Sequence, residues 1–502
     1  MNYPFWDVGI GYGYLMAGIA ILHVFISHFA IGGGLYLVVV ESGARKRGDQ
    51  ATLAYLKKLS KFFILTSLVM GAITGVGIWF VIGLLNPAAT EALIHNFVWA
   101  WATEWTFFVV EVAAAIFYYY GWERMSAKSH LLIGWIYFAA AWMSLFAING
   151  IIDYMLTPGE WLTTGNVWDG LFNPTFWSSL WFRTGICIML AGLYAQLVAS
   201  GVIDRLFKGK LSRLNTHWVV GGMAISALAG SWYWNSVPIE IRNLAQSSMP
   251  AVMTHIEQTI WFAGAILFLA IVIGYLLATK LNRAVAIVMM MAGLLFFGAF
   301  EWTRESIRKP YAIYGYMYGN GIDVARTDEL KADGLRAHIA YKTGDDGADL
   351  FRRACRSCHT MTGYKALKPQ FDGTDSLFIA GLVKGAHKLR GNMPPFLGTA
   401  SEATAIAGHI YAQTDHRPVA EIYGLSGIEF GKKVYDLRCG KCHVIGGYND
   451  KSESILGLSD TDYADLRAST GDYDEFMPAY TGSDEDWNAL VAYLKSIPAG
   501  GK

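Results

Sequence analysis

Cys355-Arg356-Ser357-Cys358-His359 and Cys439-Gly440-Lys441-Cys442-His443 decide how this chain is organised. Each is a C-x-x-C-H string, the attachment signature of a c-type haem. The two thiols add to the haem vinyl groups, and the histidine that follows becomes an axial ligand of the iron. The strings lie about 80 residues apart, and each is followed downstream by a Met-Pro. A zinc ribbon or two accidental C-x-x-C pairs are the competing readings, and the histidines and Met-Pro pairs argue against both. Four of the five cysteines fall in these strings; Cys187, in an apolar run, reads as a core residue.

Around each string the chain repeats one plan. A helix-like stretch opens it (347–354, then 427–435), the C-x-x-C-H string follows, then Met393-Pro394 or Met477-Pro478, then an amphipathic helix over 401–413 or 484–497. This resembles a tandem of small class I cytochrome c domains, expected at 340–417 and 418–502 after a linker at 312–339. The resemblance implies two covalent haem c groups. One is bound through Cys355 and Cys358 with His359 and Met393 as axial ligands, the other through Cys439 and Cys442 with His443 and Met477. A histidine–methionine pair raises the reduction potential and leaves no open coordination site, so these haems would carry electrons.

Upstream the composition is that of a membrane protein. The 502 residues are 54% hydrophobic and 16% charged, against about 25% charged in a soluble protein. With 40 basic and 40 acidic side chains, no basic excess points to nucleic acid. Eight apolar runs, roughly 13–41, 61–86, 97–121, 130–153, 175–200, 217–235, 257–278 and 284–303, are each about the 20 residues that cross hydrocarbon. The 217–235 run, rich in Gly, Ala and Ser, is the least apolar.

The loops between these runs are asymmetric in charge. The first holds Arg45, Lys46, Arg47, Lys57, Lys58 and Lys61, the third Arg124 and Lys128, the fifth Arg205, Lys208, Lys210 and Arg213, and the seventh Lys280 and Arg283. The second and fourth hold no Lys or Arg, and the sixth only Arg242. Positive loops stay inside, which puts both termini outside. Covalent c haem is attached on the outer face of a bacterial cytoplasmic membrane, so the haem strings give the same orientation. Met1–Trp6 has no basic n-region and does not read as a cleaved signal peptide. The expected fold is all-α: a polytopic bundle of about eight transmembrane helices over 1–311, then the two cytochrome c domains.

Ionisable residues inside the spans are costly and mark function. His23 lies in the first span. Glu104 and Glu111 lie in the third, seven residues apart and so on one helix face. Glu305 and Arg308 sit at the outer end of the eighth. At these residues the chain resembles subunit I of cytochrome bd-type oxidases. The likeness rests on Leu22-His23, on Glu104…Glu111 followed by Gly121-Trp122-Glu123-Arg124, and on Glu305-Ser306-Ile307-Arg308-Lys309-Pro310-Tyr311. It implies His23 and Glu305 as axial ligands of two membrane haems, of type b and/or d, one of them binding oxygen. It implies Arg308 at a haem propionate and Glu104 and Glu111 in proton delivery or haem-site gating; the family's two acids are one residue further apart.

The departures from that family are coherent. Its low-spin haem is held by a histidine in the fifth span and a methionine in the seventh; here stand Trp181-Phe182-Arg183-Thr184 and Ile260-Trp261-Phe262. Its long quinol-binding loop between spans six and seven is reduced to about 20 residues, from Asn235 to His255. Its ninth span is replaced by the cytochrome c pair. His255 is a candidate replacement ligand, His217 reads as interfacial, and His28 as a contact to a neighbouring span or a propionate.

The leading expectation is a terminal oxidase-like enzyme of the bacterial inner membrane. A periplasmic donor, a cytochrome c or a dehydrogenase, feeds the c haems, and the membrane haems reduce oxygen to water. The alternative is an electron-transfer membrane subunit of a larger redox complex with no oxygen chemistry; the third is a quinol-linked oxidoreductase. A second membrane subunit or a homo-oligomer is the expected assembly.

Overall fold

The computed structural model describes residues 8–498; the Met1–Trp6 reading lies outside the described residues. Eight long helices form the bundle: α1 Tyr12–Arg47, α2 Gln50–Leu85, α3 Val98–Gly121, α4 Ala127–Tyr154, α5 Phe176–Ala199, α6 Arg205–Ser236, α7 Pro250–Leu276 and α8 Arg283–Ile307. All but α6 are long and apolar enough to cross a membrane, seven helices rather than the eight expected. α6 contains the 217–235 run and has the length to span, but its small and polar residues lower its hydropathy.

Those residues are what let α6 pack. A Cβ on Gly222 would lie 2.3 Å from the Met189 amide nitrogen, and one on Gly192 would lie 2.7 Å from the Asn215 carbonyl oxygen. Small side chains replace hydrophobic drive in holding membrane helices together, by letting backbones approach. Polar contacts also tie α6 into the bundle: Gln196 Nε2 donates to the Ser212 carbonyl at 2.9 Å, and the Tyr36 hydroxyl to Asn215 Oδ1 at 2.6 Å.

α1 is central for the same reason. At Gly32 a Cβ would fall 1.8 Å from the Cys187 carbonyl oxygen, and at Gly34 2.1 Å from the Tyr137 ring, so α5 and α4 lie directly on it. Cys187 is 1% exposed, a core residue. α2 is broken by one π-helical turn, Leu65–Met70, the kind of irregularity that gathers at functional sites.

After α8 a small antiparallel hairpin, β1 Tyr311–Ile313 with β2 Met317–Tyr318, packs Ala312, Ile313 and Met317 against Phe97, Tyr154 and Trp161. The amide of Tyr314 donates to the Met155 carbonyl at 2.9 Å. The tail is thus clamped to the end of the bundle at which α1 begins: the Tyr364 amide donates to the Ile10 carbonyl at 3.0 Å, and Arg356 to that of Val8 at 3.0 Å. Both ends of the eight-helix path lie together, which requires an even number of crossings and counts α6 among them.

The tail holds two similar helical units. The first has α9 Asp346–Ala354, α10 Ser376–Lys384 and α11 Ala400–Tyr411; the second has α12 Gly427–Arg438, α13 Asp460–Ser469 and α14 Asp484–Ser496. Corresponding residues are separated by the offset that separates Cys355 from Cys439. Gly347 of α9 and Gly431 of α12 let the opening helix cross the closing helix, with a Cβ at 2.6 Å from the Ala405 carbonyl or 2.0 Å from that of Ala489. Thr399 and Ser483 cap the closing helices with capping boxes to Glu402 and Asp486.

Candidate redox sites and the polar ladder

The two cysteine strings have matching local geometry. In each, the opening helix ends at the first cysteine, whose carbonyl accepts from the histidine amide at 2.9 Å. The His359 ring donates from Nδ1 to the Lys365 carbonyl at 3.0 Å, and that of His443 to the Asn449 carbonyl at 3.1 Å. Lys365 and Asn449 hold left-handed backbone, φ 47° and 48°, which turns those carbonyls toward the rings. A backbone acceptor on Nδ1 fixes the proton there and leaves the Nε2 lone pair for a metal. The four thiols are free. Thiol pair, oriented imidazole and loop methionine together fit a covalent haem in each unit. Met393 and Met477 lie half-buried in the irregular segments before α11 and α14.

His23 shows the same device inside the membrane. Thr74 Oγ1 donates to the Met70 carbonyl at 2.7 Å, so it accepts from His23 Nδ1 at 3.1 Å. Nε2 is again left for a ligand, beside the π-turn of α2. This donor set fits a haem iron.

Glu305 is differently placed. Both its oxygens are held by cations one turn on: Oε2 accepts from Arg308 and Oε1 from Lys309 at 2.8 Å. Arg308 also lies 3.4 Å from Met155 Sδ. A ligand role requires one oxygen to leave its cation. The His255 ring lies 6.0 Å from that of Trp302, itself 5.8 Å from Tyr14, and His255 Nδ1 pairs with Gln258 at 3.0 Å. The structure therefore brings His255 near the Glu305 end of α8, and leaves His23 on the α1–α2 side. His28 packs on Phe297 of α8 at 5.1 Å with its buried Nε2 unpartnered, and His217 lies 5.7 Å from Tyr275.

Glu104 and Glu111 face α4 in a ladder. Ser144 Oγ donates to Glu104 Oε1 at 2.8 Å and the Tyr137 hydroxyl to Glu111 Oε1 at 3.0 Å. The next rung is Tyr118 and His130, with ring centroids 4.2 Å apart. Below it, Glu41 of α1, fully buried, accepts from Tyr118 at 2.6 Å, from His130 Nδ1 at 2.8 Å and from Arg45 at 2.6 Å. The series 104, 111, 118 on α3 meets 144, 137, 130 on α4. Glu41, Tyr118 and His130 were not marked by sequence reasoning, although the seven-residue spacing of both series was there to be read.

A second buried cluster was also missed. Arg183, where the fifth-span histidine of bd oxidases would be expected, pairs with Glu301 of α8 at 2.9 Å. Arg304 takes the other Glu301 oxygen at 2.9 Å. Asp153 and Tyr233 are buried close by. The absence of a histidine was legible; the charge network in its place was not.

Residues 14–233 match the family model of cytochrome bd terminal oxidase subunit I, and residues 342–410 and 427–494 that of cytochrome c oxidase, cbb3-type, subunit III. The chain joins a cytochrome bd subunit I domain to two cytochrome c domains. Among solved structures, bd oxidase from Geobacillus thermodenitrificans shares the fold, with a TM-score of 0.52 over 63% of this chain and 90% of that chain at 16% identity. Among curated proteins none matches. This bd-like chain is a multi-pass membrane haem protein of respiratory electron transfer, whose cytochrome c domains imply covalent haem c and whose bd-like domain implies haem of the b or d type.

Proposed function

We propose that this chain is the membrane subunit of a terminal oxidase fed at the periplasmic face of the inner membrane by a soluble cytochrome c or a dehydrogenase. The observation that carries the reading is the seating of the Cys355–His359 string beside the Glu305–Lys309 turn, which joins an electron-carrying domain to a span end whose residues resemble a haem site of bd oxidases. Haems bound at these residues supply the redox chemistry: four electrons and four protons convert one oxygen molecule to two waters. His359 and His443, through Nε2, and Met393 and Met477 would hold the two c-haem irons. His23 would hold the membrane haem that takes up oxygen, and Glu305 would hold another once it releases Lys309 or Arg308. Arg308, released from Glu305, would pair with a propionate, a charge-assisted contact suited to its planar fork. The ladder from Glu41 and His130 through Tyr118, Tyr137 and Glu111 to Glu104 moves protons from the charged inner loops toward the site. A second membrane subunit or a further copy covers the exposed aromatic face of α3, which includes Trp99 and Trp105.

The test is oxygen uptake by purified protein with reduced cytochrome c as donor. His23→Ala is expected to abolish uptake and leave the c-haem spectra intact; an unchanged rate would remove His23 from this role. One observation favours a second reading, an electron-transfer subunit without oxygen chemistry: both Glu305 oxygens are already engaged by cations.

A further inference from the structure

Each cysteine sulfur of a c-type haem is bonded to the porphyrin's vinyl edge, so its position marks where that edge lies. Cys358 Sγ lies 3.6 Å from the Cβ position of Gly319, just past the α8 end, and Lys309 and Lys365 are the cations beside it. Five residues after His359, the Tyr364 ring packs on Tyr14 of α1 at 4.6 Å and on Trp302 of α8 at 6.0 Å. The vinyl edge of a haem bound to the first unit would therefore face the membrane domain, with aromatic side chains bridging the contact.

The second unit repeats this seating on a different floor. Cys442 packs against the core of the first unit. Arg390 donates to the Gly440 carbonyl at 3.3 Å, and the Lys441 ammonium lies 5.4 Å from the centre of the Phe371 ring. A Cβ on Gly381 would lie 2.7 Å from Pro478, beside Met477. Asp375 anchors the junction, accepting from Thr481 and lying 3.7 Å from Arg438. Among the described residues no hydrogen bond or ion pair joins residues 427–496 to α1–α8. The vinyl edge of a haem bound to the second unit would face the first unit.

We infer that the two c haems form a relay of fixed order: the haem at His443 meets the soluble donor, and the haem at His359 alone hands electrons to the membrane domain. This rests on the proposed reading only in that both strings carry haem and the membrane domain accepts electrons. A ferrous one-electron haem protein reduces the iron at His443. That iron is reoxidised as the ferric iron at His359 becomes ferrous, and the electron then reduces a ferric membrane haem; no proton moves and no bond changes.

The test mixes the oxidised full chain with a reduced mono-haem cytochrome c in the absence of oxygen and follows the c and membrane haem absorbances separately. In Cys355→Ser/Cys358→Ser, the His443 haem should be reduced at the wild-type rate while the membrane haems stay oxidised. In Cys439→Ser/Cys442→Ser, reduction of the His359 haem should slow at least tenfold, with dithionite still reducing every haem. Should these variants fail to fold, Asp375→Ala/Arg390→Ala keeps both haems, and its c-haem reduction should become biphasic with a second phase at least tenfold slower. Membrane haems reduced at the wild-type rate without the first c haem, or unchanged rates in the junction variant, would overturn the order. Because oxygen is absent, a failure of the oxidase reading leaves this result standing.

Discussion

Arg183 and Glu301 form an ion pair at 2.9 Å between the fifth and eighth spans, with the guanidinium 1% exposed. Arg304 shares the carboxylate, so three charges are buried together. Removing Arg183 leaves Arg304 to meet the charge of Glu301 and takes the partner from its other, buried oxygen.

Arg183→Ala is therefore expected to cost about 1–3 kcal/mol of stability, the range for a buried polar group that loses a partner. The measurement is the thermal inactivation of the haem-loaded protein in detergent. Arg183→Lys should recover only part of the loss, because an ammonium cannot match the fork that also faces Phe300 at 5.7 Å. A wild-type melt for Arg183→Ala would show the pair to be dispensable.

Glu111→Gln keeps the shape of the ladder and removes its proton carrier. Oxygen-linked turnover should fall roughly 100-fold, the range seen when a positioned acid or base is lost. Anaerobic reduction of the haems by the donor should keep its rate. Equal slowing of both processes would point to a structural role.

Met477→His replaces a thioether by an imidazole opposite His443. The potential of that haem should drop by about 0.1 V or more, within the ~0.8 V that axial ligands span. Redox titration of the c-haem absorbance reads it, and an unchanged midpoint would remove Met477 from the ligand set. Met393→His should do the same for the first unit alone.

Glu402 gives the first c unit an acid-sensitive fastening. Burial alone would raise its pKa, but the amides of Arg336, Thr399 and Leu335, at 2.7, 2.8 and 3.0 Å, outweigh that and hold the carboxyl below its ordinary value. A depressed folded pKa stabilises above the unfolded value, about 4.3. That contribution is lost as pH falls further through the folded pKa. Melting of the unit should steepen its pH dependence below about pH 4, and Glu402→Gln should flatten it. An identical profile in the variant would exclude the fastening.

Much of this was legible from residue order alone. The C-x-x-C-H strings carry a covalent chemistry that does not depend on context, and the two cytochrome c units follow from their repetition. The spans were readable because hydrocarbon demands long apolar runs. α6 read as the weakest span because the residues that pack it against α5, Gly222, Ser226 and Asn215 among them, are small or polar. The Tyr118–His130 rung was missed because its two halves lie on different helices, and only the facing of α3 on α4 joins them. Arg183 was read as a lost ligand; its pairing with Glu301 depends on a helix more than a hundred residues later in the chain.

The most direct measurement of the central claim is a carbon monoxide difference spectrum of the dithionite-reduced protein, with a pyridine haemochrome count beside it. The account predicts two c haems per chain and a high-spin carbon monoxide signal from the membrane domain that disappears in His23→Ala. A spectrum unchanged by carbon monoxide, with every membrane haem six-coordinate, would contradict it and leave an electron-transfer subunit.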